Sequence, residues 1–158
     1  MQRSTVRVTA ESPGQAEVLA LIEALDAYQQ PLYPPESHHG IDVAALSRPG
    51  VIFAVARDDA AIAVGCGALV IEAGFDEIKR MYVQPQYRGQ GVAQQILDFL
   101  EAQARARDCL ELRLETGVLQ AAALAFYRRA GFADCPPFGA YRPDPNSVFM
   151  RKALVRPG

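Results

Sequence analysis

The chain has 158 residues, 50% of them hydrophobic and 22% charged, with a formal net charge of -2. That composition belongs to a folded globular protein rather than a disordered one, and the near-balanced charge excludes a global positive field for nucleic acid or an anionic membrane. No apolar run approaches the ~20 residues of a membrane helix, and the opening MQRSTVRVTAESPG lacks a signal-peptide core.

Residues 5–9 (TVRVT) alternate like a first strand. Ser12-Pro13 offers an N-cap and an N1 proline for a helix carrying Val18, Leu21, Ile22 and Leu25 at helical spacing. Residues 30–40 (QPLYPPESHHG) contain three prolines and a glycine, which forbid a long helix or a central strand. A short helix is expected over residues 42–46. Residues 51–56 (VIFAVA) and 62–71 (IAVGCGALVI) read as an antiparallel hairpin turning at Arg57-Asp58-Asp59. Gly74 then turns the chain into a strand beginning near Glu77.

That strand, with Ile78, Met81, Tyr82 and Val83, passes through Pro85 into the turn Gln86-Tyr87-Arg88-Gly89-Gln90-Gly91. A helical pattern over residues 91–106 follows, with Val92, Ala93, Ile96, Leu97 and Leu100 on one side. Residues 110–116 (LELRLET) alternate as a strand, and residues 120–130 read as a helix stopped by Gly131. Residues 135–147 are again rich in proline and glycine, and residues 148–154 close as a last strand. The strand–helix–strand unit implies a right-handed parallel crossover, whereas the hairpins before it are antiparallel. The expected fold is α/β, with a mixed, mostly antiparallel central sheet and helices on both faces. No internal repeat or Gly/Ser linker divides the chain, so residues 1–158 are read as one domain.

Chemistry concentrates in the glycine turn. A strand, a glycine-rich loop and a helix N-terminus in that order gather free N–H groups and positive dipole potential, which suits a phosphate or pyrophosphate. No GxxxxGK[ST] is present, which excludes a P-loop. A dinucleotide GxGxxG should follow the first strand, whereas this turn comes after about four strands and has Gln94 at the third glycine position.

Gln86, Gly89 and Gly91 match the [Q/R]xxGx[G/A] signature of the GNAT superfamily, the GCN-related N-acetyltransferases, and the segment resembles that family's motif A. Residues 123–132 (ALAFYRRAGF) resemble its AxxxYxxxGF helix end, and LELRLETG sits where its fifth strand should be. The chain departs at Gln120, where the family often has Asn; an amide is retained. The resemblance implies the GNAT fold, acetyl-CoA as donor and an amine as acceptor. It implies that Arg88, Gly89, Gln90, Gly91, Val92 and Ala93 cradle the coenzyme A pyrophosphate. Met81, Tyr82 and Val83 would offer backbone to the pantetheine where the fourth and fifth strands splay, with Gln120 close by.

Tyr127 aligns with the family's tyrosine near the coenzyme sulfur, where a phenol can protonate a departing thiolate; packing on the core face of its helix is the alternative. Glu77 and Glu115 are rival general bases, each equally readable as a surface carboxylate or an ammonium partner. Tyr33, Glu36, His38 and His39 in the first irregular loop, with Tyr141 and Arg142 in the second, are acceptor-pocket candidates. The scattered Cys66, Cys109 and Cys135 show no metal spacing, so no metal is expected and a reduced cytoplasmic setting follows as the default. An acyl-enzyme on Cys66 is an alternative that direct transfer does not need.

The chain thus reads as an N-acetyltransferase moving an acetyl group from acetyl-CoA to a primary amine of a small molecule or peptide, by direct attack in a ternary complex. A non-catalytic acyl-CoA-binding sensor or scaffold is the alternative. Neither nucleic acid nor membrane is expected as a partner. A homodimer is compatible with the fold, although no heptad or apolar stripe demonstrates one.

Overall fold

The computed structural model describes residues 5–38 and 41–155. Its elements are β1 (Arg7–Ala10), α1 (Ala16–Gln29), α2 (Val43–Leu46), β2 (Val51–Arg57), β3 (Ala63–Ile71), β4 (Asp76–Val83), α3 (Val92–Ala106), β5 (Glu111–Gly117), α4 (Ala121–Arg129), β6 (Ala133–Asp134) and β7 (Ser147–Ala153). They form one seven-stranded sheet in the order β1-β2-β3-β4-β5-β7-β6. Every neighbouring pair is antiparallel except β4 and β5, which are parallel and joined by the crossover through α3.

The alternation of each strand divides the core between two faces. Val92, Ile96, Leu97 and Leu100 of α3 pack with Val64, Ile78, Leu112, Leu114 and Met150, joined by Tyr127 of α4. On the opposite face Val18, Leu21 and Ile22 of α1 and Leu46 of α2 pack on Phe53, Val55, Cys66 and Ala68. Leu97 is wholly buried, and its replacement by Ala is expected to cost about 2–5 kcal/mol.

Two local departures from the sequence expectation have simple causes. Helix α1 begins three residues beyond Pro13, because the Ser12 hydroxyl accepts from the Gly14 amide at 3.2 Å and so holds the Ser12-Pro13-Gly14 segment in a turn. Strand β6 is two residues long, too short to carry a periodic signal, and exists only by pairing with β7.

Two irregularities in β4 position the site. Lys79 pairs with Ala68 and Tyr82 with Cys66, so Arg80 and Met81 together oppose Gly67. This is a β-bulge, with Arg80 in the left-handed region at φ 56°. Gly67 makes room for it, since a Cβ there would stand 2.5 Å from Met81 Sδ. Beyond the bulge, Met81 and Val83 pack on the α3 side and Tyr82 on the α1 side. Pairing of β4 with β5 spans only residues 76–78 and 112–114, although β4 runs on to Val83 and β5 to Gly117. The two strands part there and leave a cleft in the sheet. No helix among the described residues is long and apolar enough to cross a membrane.

Candidate active site

The glycine turn folds as its composition dictates. One turn of 3-10 helix over Pro85–Tyr87 leads to Gly89 and Gly91, at φ 75° and 83°, a region that side-chain-bearing residues rarely enter. Gly91 is the N-cap of α3 and offers no side-chain oxygen, so the first-turn N–H groups are left for another acceptor. Tyr87 Oη donates to Asp58 at 2.8 Å and fastens the loop to the turn between β2 and β3. Arg88 folds back, donating from Nε to the Val83 carbonyl at 3.1 Å with its guanidinium 5.6 Å from the Tyr82 ring centroid.

A cavity of about 320 Å³ runs from this loop along β4 to α4. Met81, Tyr82, Val83, Arg88 and Gly89 line it on the strand and loop side, with Gly91, Val92 and Ala93 at the helix N-terminus and Gln120 and Tyr127 opposite. Of the donor-site residues expected from the sequence, Gln90 alone is not part of this wall; its amide turns back to the Gln86 carbonyl at 3.0 Å. Tyr28 of α1 and Phe126 of α4 add apolar wall that the sequence did not single out. Uncapped helical amides at one end and an apolar slot beside unpaired strand backbone at the other fit a pyrophosphate joined to an amide-bearing thiol arm.

A second cavity, of about 340 Å³, shares Leu25, Met81, Gln120, Ala123 and Tyr127 with the first, so the two meet where β4 and β5 part. Tyr127 is only 7% exposed and stacks edge-on with Phe126 and Phe132. Burial pushes its phenol well above the ordinary value, so it stays protonated, and its hydroxyl has no hydrogen-bond partner among the described residues.

Tyr33, His38 and Glu115 line this second cavity. The Tyr33 hydroxyl accepts from the Leu119 amide at 3.2 Å and donates to Gln120 Oε1 at 3.4 Å. Gln120 Oε1 also accepts from the Gly117 amide at 3.2 Å, so the retained amide braces the end of β5. His38 Nε2 lies 2.9 Å from the Tyr33 carbonyl, which can only accept, and the proton is therefore assigned to Nε2.

Other nominated residues lie elsewhere. Glu77 is 6% exposed and lines none of the cavities described. Its carboxylate accepts from Tyr141 Oη at 2.6 Å and pairs with Lys79 Nζ at 3.3 Å. Burial and the Glu77 charge push the Tyr141 phenol far up, which keeps it a donor. Glu36, Tyr141 and Arg142 line a neighbouring depression of about 500 Å³ that shares Ser37 and Asn146 with the second cavity. His39 lies outside the described residues. Cys66 is buried and donates to the Arg80 carbonyl at 3.3 Å, and desolvation pushes its thiol up to about 12. It stays a thiol, unsuited to nucleophilic attack.

Sequence reasoning singled out none of Asp26, Ser37, Lys79, Arg80 and Asn146 as site residues, although all five also line the second cavity. Asn146 Nδ2 donates to Ser37 Oγ at 3.2 Å across 109 residues of chain, a juxtaposition without local signal. Among the described residues no cluster of His, Cys, Asp and Glu is arranged to hold a metal ion.

A cleft between parted parallel strands, flanked by a glycine loop at a helix N-terminus, defines a coenzyme-A-dependent acyltransferase class. The chain matches the Acetyltransferase (GNAT) family over residues 19–132 and belongs to it, which makes it an acetyl-CoA-dependent N-acetyltransferase. It is 49% identical to an IAA acetyltransferase of Azospirillum brasilense over 151 residues, covering 94% of this chain and 98% of the relative. It is 39% identical to the uncharacterized N-acetyltransferase YsnE of Bacillus subtilis (strain 168), over 77% of this chain and 82% of the relative. A Klebsiella pneumoniae protein, solved as a candidate acyl-CoA N-acyltransferase, is 44% identical with a TM-score of 0.81, over 96% of this chain and 99% of that one. PaiA N-acetyltransferase of Thermoplasma acidophilum, solved with coenzyme A, shares the fold at 18% identity and a TM-score of 0.74, over 95% of this chain and 99% of that one.

Proposed function

We propose that the chain acts as one domain, in a reduced cytoplasmic setting, and moves an acetyl group from acetyl-CoA to a primary amine of a small molecule or peptide. The amine attacks directly, with both substrates bound together. The observation that carries this is the junction of the two cavities at Tyr127, which lets a donor and an acceptor meet in the cleft between β4 and β5.

Acetyl-CoA supplies an activated thioester and a thiol leaving group. The first-turn amides of α3, with Gly89 and Gly91, hold its pyrophosphate, and the backbone of residues 81–83 receives its pantetheine arm. Glu115, on the wall of the acceptor cavity, orients the amine and takes up its proton. An N–H of the β4 backbone steadies the developing oxyanion. Tyr127, a phenol kept protonated by burial, donates to the departing sulfur.

The experiment is thiol release from acetyl-CoA with a panel of amines, using the full chain and Gly89→Val. Turnover with at least one amine is expected. In the variant, a left-handed valine costs about 1–2 kcal/mol and crowds the phosphate, so the KM for acetyl-CoA should rise. Tight coenzyme A binding without turnover on any amine, even at raised pH, would instead establish an acyl-CoA sensor.

A further inference from the structure

Lys79 and Arg80 are consecutive in β4, and in a regular strand their side chains would leave on opposite faces. Both line the acceptor cavity. The cause is the bulge opposite Gly67, where Arg80 is held at φ 56°. A non-glycine residue in that region costs about 1–3 kcal/mol and persists only where its surroundings hold it. The Arg80 Nε and Nη2 groups both donate to the Ile41 carbonyl, at 3.0 and 2.8 Å, and Nη1 donates to Asp26.

A guanidinium has five N–H donors, so these three bonds leave two unused on a side chain that faces the cavity. Lys79, next to it, is held by Tyr141 Oη at 2.6 Å and by Glu77 at 3.3 Å. The carboxyl groups on the same cavity wall are Glu115 of β5, Asp26 of α1 and Asp42, whose Oδ1 already accepts from the Ala45 amide to cap α2. The cavity therefore presents both signs of charge. Lys79 and Arg80 already have Glu77 and Asp26 as counterions, and a carboxylate on the acceptor would give the two remaining Arg80 N–H groups an anionic partner.

We propose that the acceptor is a zwitterionic amino compound, an amine that also carries a carboxylate, with the carboxylate read by Arg80 and Lys79 at the β4 bulge and the amine directed toward Glu115 and Tyr127. This rests on transfer to an amine as set out above. The planar fork of Arg80 matches a carboxylate in a way that a point charge does not. Asp26, on a side chain 42% exposed, is its resting counterion and competes with the substrate carboxylate for it.

The test is steady-state acetyl transfer to matched pairs, each an amino acid and its decarboxylated amine, such as phenylalanine with phenethylamine and alanine with ethylamine. The amino acids are expected to be preferred in kcat/KM by roughly tenfold to a hundredfold, the effect of a charge-assisted hydrogen-bond pair. Arg80→Gln should bring that ratio close to one and leave the KM for acetyl-CoA unchanged. Because Arg80 also holds Ile41, Asp26→Asn supplies a variant independent of that scaffold. It should lower the KM of the amino acid several-fold and leave that of the matched amine unaltered, which a merely structural role for Asp26 would not do. Equal or better use of the decarboxylated amines, or a raised amino-acid KM in Asp26→Asn, overturns the assignment while transfer to amines stands. Turnover with neither member of any pair, despite coenzyme A binding, removes the transfer reading and this assignment together.

Discussion

The Tyr141 hydroxyl donates a 2.6 Å hydrogen bond to the Glu77 carboxylate, joining the loop before β7 to the start of β4. The same carboxylate pairs with Lys79, so one buried acid steadies both a cation on the wall of the second cavity and the loop that carries Tyr141. Held by these two partners and lining none of the cavities described, Glu77 is expected to act as a positioning residue.

Replacing Glu77 by Gln is accordingly expected to raise the acceptor KM and leave the pH dependence of kcat in place. Loss of the acidic limb of the pH–rate profile, the fall at low pH that a general base imposes, would make Glu77 the base after all. Tyr141→Phe removes the donor to a buried carboxylate and should cost about 1–3 kcal/mol in thermal or denaturant unfolding.

Gly117 ends β5 directly beneath Tyr33. A Cβ at that position would stand 1.8 Å from the Tyr33 hydroxyl, a distance no rotamer adjustment of the alanine methyl can relieve. Gly117→Ala should therefore expel the Tyr33 ring and unpair Gln120 and the Leu119 amide. A rise in acceptor KM of about tenfold is expected, larger than any change in acetyl-CoA KM. Unchanged acceptor kinetics would show that Tyr33 does not shape that pocket.

Tyr127→Phe keeps the aromatic contacts with Phe126 and Phe132 and deletes only the hydroxyl. A fall in kcat of about 10²-fold, with little change in KM for acetyl-CoA, is the signature of a proton donor. Because burial raises this phenol, its acidic form persists to high pH, and no limb from it should appear in the neutral range. A raised KM with normal kcat would reduce the residue to packing.

Far from the site, hydrogen bonds from Arg57 hold the Glu11 carboxyl well down, from the ordinary 4.5 to about 2. A depressed folded-state value means that the stabilisation is complete above about 4.5 and is lost as pH falls toward about 2. Wild type should exceed Glu11→Gln in stability by about 1–3 kcal/mol at pH 6, with the gap closing by pH 2 in unfolding experiments. A gap independent of pH would contradict the pairing.

The glycine turn was legible because its determinants are contiguous. Gly89 and Gly91 enter the left-handed region, and α3 starts uncapped, through properties of neighbouring residues in one loop. Periodicity likewise marked α3 and β5, whose apolar positions are the buried ones. Misplaced boundaries fell where side chains competed for backbone groups, as Ser12 does with the Gly14 amide.

By itself, then, the sequence determined the family fold, the glycine turn that opens α3 and the tyrosine of α4 that lines the same cavity, since each follows from local backbone preference and short-range pattern. Tertiary structure alone decided the lining of the second cavity. The bulge that turns Lys79 and Arg80 to one cavity depends on a neighbouring strand with glycine opposite. The enclosure of Glu77 depends on a loop 64 residues away. Contacts between distant segments carry no periodic signal, and strand alternation predicts the opposite orientation for two adjacent cations.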